Sequence, residues 1–245
     1  MKRTLLLFAS LFIVLLSQAQ FKGLLKKDST GKTGLGKLIN TGGKPGLSND
    51  EIISGLKEAL NVGSNNASQK LATVDGFFKD AAIKILMPEE AKKVENKLRG
   101  LGMGKQVDNA ILSMNRAAED AATEIAPIFI NAIKGMSIGD GLGILRGGDF
   151  AATTYLKDKT TASLTEKFRP IIENSLQKVN ATKYWNTVFT TYNQFSSDKV
   201  NTDLVAYVTE KALAGVFHQV GLEEQKIRKD PLARTSDILK KVFAN

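Results

Sequence analysis

The sequence predicts an all-α protein: a single multi-helix domain of eight or nine helices over residues 48–245, behind a cleaved signal peptide (1–19) and a flexible Gly/Lys-rich arm (20–47). Three observations lead there. From Ser48 onward apolar residues recur at spacings of three and four, the period of an amphipathic helix. Alternation of strand length is absent except over the ambiguous residues 77–86. Helix start and stop signals also divide the pattern into segments. A chain of that length buries roughly 70% of the surface it exposes when unfolded.

Ser48-Asn-Asp-Glu51 is a capping box ahead of Ile52, Ile53, Leu56, Ala59 and Leu60, the Ser hydroxyl and Glu carboxylate each answering a free N–H. Pro88-Glu-Glu-Ala opens a second helix that ends in the glycines of 100–104, with acids at the positive dipole end. A long stretch from Val107 to Ile125 must kink or restart at Pro127 before Ile128, Phe129, Ile133 and Met136. Ser163-Leu-Thr-Glu166 reads as a second capping box, leading into Phe168, Ile171, Ile172 and Leu176. Trp185, Val188, Phe189, Tyr192 and Phe195 form an aromatic stripe with the spacing of core residues. Residues 204–219 make a further helix, Pro231 stops the helical run that follows, and Ser236 caps a last helix ending near Phe243.

The N-terminus reads as a targeting segment. Lys2 and Arg3 precede an apolar run from Leu5 to Leu16, and Ser17-Gln-Ala19 supplies the small-x-small exit of a secretory signal. Twelve helical residues rise roughly 18 Å, short of a hydrocarbon core of about 30 Å. No Cys follows for lipid attachment, so a periplasmic or secreted protein is expected, with no transmembrane segment after cleavage. ATP- and NAD-dependent chemistry does not fit that address. Residues 21–47 hold seven glycines and six lysines against the single acid Asp28, a composition that cannot offset its ordering entropy by burial. Within them Gly31 to Lys37 imitates a phosphate-binding loop, but Leu38 stands where the metal-binding hydroxyl belongs and no apolar strand precedes it.

Composition excludes much chemistry. The chain has no Cys and one His among 245 residues, which removes disulfides, thiolate nucleophiles and any metal site needing several imidazoles. No cofactor and no metal is expected. The net charge of +9 is concentrated outside the domain: residues 48–245 hold 26 basic against 24 acidic side chains. Nucleic acid is therefore not an expected partner, since that needs a basic face with interleaved aromatics. The arm is either a solvated linker or a tether to an anionic envelope surface, each lysine contributing roughly 1 kcal/mol near such a membrane.

A run of motifs points to a family. Met136-Ser-Ile-Gly-Asp140, Ile144-Leu145, Gly148-Asp-Phe-Ala-Ala-Thr-Thr-Tyr155, Phe168-Arg-Pro-Ile-Ile172, Tyr192-Asn193, Tyr207-Val-Thr-Glu-Lys-Ala212 and Glu223 to Pro231 come in an order that resembles bacterial domain-of-unknown-function family 4197. The resemblance covers roughly residues 47–243. It implies an exported α-helical domain and carries no activity, ligand or catalytic residue.

The candidate polar cluster is Asp149, Arg169, Glu223, Glu224, Arg228, Asp230 and Arg234. Glu224 and Arg228 are at i,i+4 and share a helix face, which predicts a surface ion-pair lattice joining the last two helices. Glu223 and Glu224, being adjacent, point about 100° apart. Asp149 is expected as a helix N-cap after Gly147-Gly148, and Arg169 as its partner or that of a C-terminal carboxylate. His218 is expected to be a buried or half-buried structural residue. Asn66 and Asn180, in sequon-like triplets, are expected as helix-cap residues. Two functions remain open: a non-catalytic envelope module binding a protein, lipid or glycan, and a carboxylate-dependent hydrolase using Glu223, Glu224 or Asp149, with Asp140 as a partner acid.

Overall fold

The computed structural model describes residues 48–195, 197, 199, 203–234 and 240. The signal segment, the basic arm with its imitation phosphate loop, and the helix expected from Ser236 lie outside the described residues. Among the described residues there are eight α-helices and no strand. They are α1 (Asn49–Ala72), α2 (Lys92–Gly100), α3 (Gly104–Ala121), α4 (Ile125–Lys134), α5 (Ile138–Arg146), α6 (Ala151–Lys178), α7 (Ala181–Phe195) and α8 (Leu204–Lys229).

α1 begins where the sequence places it. The Glu51 N–H donates to Ser48 Oγ at 3.3 Å, and the Ser48 N–H donates back to Glu51 Oε2 at 2.7 Å. The expected break near Pro127 is a 3-10 turn over Ala122–Glu124 that separates α3 from α4. The buried Ser68 hydroxyl satisfies the Ala122 carbonyl there at 3.0 Å. A second capping box stands at Ser137 and Asp140, opening α5. Two bonds from Ser137, side chain first and then backbone, hold the Asp140 carboxyl below the ordinary carboxylate range.

The box expected at Ser163–Glu166 is not a helix start, because α6 runs through it. Leu156, Leu164, Phe168, Ile172 and Leu176 form one buried stripe along α6, which packs on α3, α4 and α8. That continuous apolar contact outweighs both the local cap and Pro170 in the helix interior. The hydroxyls of Thr160, Thr161 and Thr165 turn back onto carbonyls four residues earlier. Asn66, expected as a cap, lies inside α1, whereas Asn180 does sit at a helix junction, with φ of 55°.

The ambiguous residues 77–86 belong to a strap, residues 73–88, that is neither helix nor strand. Its buried peptide groups still need partners, and α3 supplies them. Asn115 Oδ1 accepts the Ile85 N–H at 2.9 Å, and its Nδ2 donates to the Ile85 carbonyl at 2.8 Å. One turn further, Glu119 Oε1 accepts the N–H groups of both Phe77 and Phe78 at 3.1 Å. Glu119 Oε2 takes Arg116 at 2.5 Å, and Arg116 continues to Asp75 at 2.6 Å. The Phe77 ring fills the place a Cβ at Gly215 of α8 would need, only 2.5 Å away. Glu119→Ala would leave the buried Phe77 amide and the half-buried Phe78 amide without their acceptor and Arg116 with Asp75 alone, at a cost of about 3 kcal/mol. Lys92→Ala, which removes an exposed pair with Glu89, is expected to stay within about 0.5 kcal/mol. Urea unfolding midpoints check both, and equal shifts would contradict this account.

Candidate functional site

The polar cluster read from the sequence divides into separate structural roles. Glu224 is 6% exposed at its side chain, so the expected surface lattice is instead a buried arrangement. α6 starts at Phe150, whose side chain makes no cap. Glu224, from another helix, takes the place of the missing cap. Its Oε1 accepts the Ala152 N–H at 3.0 Å, and its Oε2 accepts the Thr153 N–H at 2.8 Å and the Thr153 hydroxyl at 2.7 Å. A carboxylate at the positive end of a helix also gains from the macrodipole. Arg228, one turn along α8, donates Nε to Glu224 Oε1 at 2.9 Å and Nη2 to the Ile144 carbonyl at 2.9 Å. This pair therefore joins α5, α6 and α8.

The other members point elsewhere. Asp149 is not the cap but an exposed partner of Lys229 at 3.1 Å. Glu223 turns away from Glu224, as adjacent helical residues must, and accepts from Asn66 on α1 at 3.3 Å. Arg169 pairs with Asp203 at 3.1 Å rather than with Asp149, linking α6 to the N-cap of α8. Asp203 in turn is held below the ordinary carboxylate range, chiefly by the Ala206 N–H. Asp230 accepts the Leu232 N–H at 2.8 Å beyond the end of α8. Arg234 is buried and closes α8, donating to the carbonyls of Ile227 and Arg228 at 3.1 and 2.9 Å. Both oxygens of Glu224 are thus taken up by the start of α6 and by Arg228, and Asp140 commits Oδ2 to the start of α5.

A concave site lies elsewhere. A groove of about 680 Å³ runs between residues 82–90, the end of the strap with the short 3-10 turn after it, and the outer face of α8. Ile83, Ile85 and Met87 form its apolar floor, with Glu90, Glu210 and Lys211 among its polar lining. His218 opens into it and is exposed, not the buried structural histidine expected, because Phe217 takes the core-facing position. Tyr207 closes one end, donating its hydroxyl to the Leu86 carbonyl at 2.8 Å. Its ring lies 6.5 Å from Trp185 at an interplanar angle of 15°, and Trp185 is 4.4 Å from Phe189. The aromatic stripe of α7 is thus core packing behind the groove; the side chains of Val188 and Phe195 lie outside the described residues. Burial, then the charges of Glu210, Glu90 and Glu89, push the Tyr207 phenol up to about 12.

The sequence offered His218 as the groove's one visible member. Nothing in its pattern shows that residues 82–90 lie beside α8, since a contact across that separation has no local signal. Among the described residues no group of three or more His, Asp or Glu is placed to hold a metal. No single described helix is long and apolar enough to cross a membrane.

Two measurements follow from this geometry. Glu224→Ala leaves the start of α6 and Arg228 unpaired in the interior and should cost about 3–5 kcal/mol, against about 0.5 kcal/mol or less for Asp149→Ala at its exposed pair. Comparable losses in thermal unfolding would contradict the assignment. For Tyr207 the fold favours the neutral phenol. Its contribution is complete below pH 10 and fades as pH rises from 10 towards 12. Of the four tyrosines, one should ionise near pH 12 in an absorbance titration, and Tyr207→Phe should remove that step. Superimposable titrations would refute the half-buried phenol.

No curated protein and no solved structure matches the chain. Residues 46–244 match the family described as "Protein of unknown function (DUF4197)". That span takes in all eight described helices, the strap, the groove and the buried Glu224–Arg228 junction, and the chain belongs to this family.

Proposed function

We propose that the protein is an exported envelope module whose role is binding, with its ligand seated in the groove between the strap and α8. The observation that carries this reading is the groove itself. Its volume of about 680 Å³ falls in the range of small-molecule sites, and an apolar floor with a few polar groups is their usual chemistry. The ligand that fits is amphipathic, with an apolar body on Ile83, Ile85 and Met87 and a polar end at His218 and Glu210. Export and the envelope address are supported by Lys2, Arg3, the apolar run and the small-x-small exit, and contact with an anionic surface by the lysines of residues 20–47. The alternative, a carboxylate-dependent hydrolase, gains no support from the acids that suggested it: neither Glu223 nor Asp149 lines the groove.

Ala214 is exposed in the groove, so Ala214→Trp fills it from the solvent side. Native mass spectrometry of the protein recovered from its own envelope should show a bound small molecule that Ala214→Trp lacks, at an unchanged melting temperature. A wild-type protein that carries nothing, or a variant that keeps the same ligand, would end this reading.

A further inference from the structure

We propose that the turn between α2 and α3, residues 100–104, is a docking tip that enters an anionic phospholipid surface. The tip combines exposed apolar side chains with an ordered backbone. Leu101 is 68% exposed and Met103 39% exposed, with the exposed glycines 100 and 102 beside them. The segment is also ordered. The Met103 N–H donates to the Leu98 carbonyl at 2.9 Å and the Gly102 N–H to the Arg99 carbonyl at 3.1 Å, while Gly102 takes φ of 79°. These are the two bonds and the left-handed residue of a Schellman helix end, so Leu101 is presented without a further ordering cost.

The surrounding charge has the sign that anionic lipid requires. Residues 92–105 carry five basic side chains against the single acid Glu95, whereas the rest of 48–245 carries 21 against 23. Glu89 and Glu90 precede that run and Asp108 follows it, with Lys92 paired to Glu89, so the charge beside Leu101 is that of the exposed Lys97 and Lys105. Val94 and Leu98 are packed against the core. Lys97 and Lys93 lie on the outward face one and two turns before Leu101, and exposed Lys105 lies in the first turn of α3. Arg99 is occupied elsewhere, tying the two helices together through Glu95 at 2.9 Å and Asp108 at 2.8 Å. Lys97 and Lys105 make no ion pair among the described residues. A protein partner fits less well. Two apolar side chains cannot furnish the roughly 800 Å² per partner of a stable protein interface, while a fluid lipid surface needs only a shallow apolar anchor beside flexible lysines. The tip is independent of the groove, and it gives the basic arm expected from the sequence a second, folded point of attachment.

The test uses the chain recovered from its envelope and vesicles of phosphatidylglycerol with phosphatidylcholine, or of phosphatidylcholine alone. Cosedimentation should show binding to the anionic vesicles that the double variant Leu101→Asp, Met103→Asp weakens about tenfold without moving the melting temperature. In the variant Leu101→Trp, the new indole should be quenched by brominated lipid, while buried Trp185 in the wild type is not. Equal vesicle binding by the double variant, or an indole that brominated lipid does not reach, would overturn the proposal.

Discussion

A helical protein with a long irregular segment must find partners for peptide groups that neither helix nor sheet provides. In this chain that constraint falls on residues 73–88. Asn115 and Glu119, one turn apart on α3, meet it by presenting a carboxamide and a carboxylate to the peptide groups of Ile85, Phe77 and Phe78. Once those bonds are made, Phe77 is fixed against Gly215 and the strap lies along α8. The groove is the space left between them. The same solution recurs at the far end of α8, where Glu224 supplies the cap that α6 lacks. Long helices thus hold the irregular parts of the fold with single buried polar side chains.

Much of the framework was legible in the residues because it is set locally. Ser48 and Glu51 start α1 by a contact three residues long, and Pro127 forces a break because it lacks an N–H. Local signals also mislead when tertiary packing opposes them. Ser163–Glu166 has the form of a cap, yet it lies within a helix whose buried stripe runs past it on both sides. Asn115, Glu119 and Glu224 were harder to see. In sequence they are polar positions in amphipathic helices, and only the approach of a distant segment turns them inward. His218 shows the converse: its neighbour Phe217 made it look like a core residue, but a rotation of about 100° per residue puts it outside, in the groove.

The charge of the chain has a similar history. The overall +9 belongs mostly to residues ahead of Ser48, and the near-neutral remainder is itself uneven. The exposed Lys97 and Lys105 flank one ordered turn carrying Leu101, while the groove acids Glu89, Glu90 and Glu210 lie just past the strap and on α8. The binding proposed for the groove and the attachment proposed for the tip therefore draw on different residues and can be separated by substitution.

Whether α3 side chains hold the strap and so form the groove can be read by native-state hydrogen exchange followed amide by amide. Strong protection is expected at Phe77, Phe78 and Ile85, whose N–H groups are bonded to Glu119 and Asn115, with the Phe77 and Phe78 protection lost in Glu119→Ala, which has no acceptor, before the surrounding helices open. Rapid exchange at all three amides in the wild-type protein, as in a free surface loop, would contradict it.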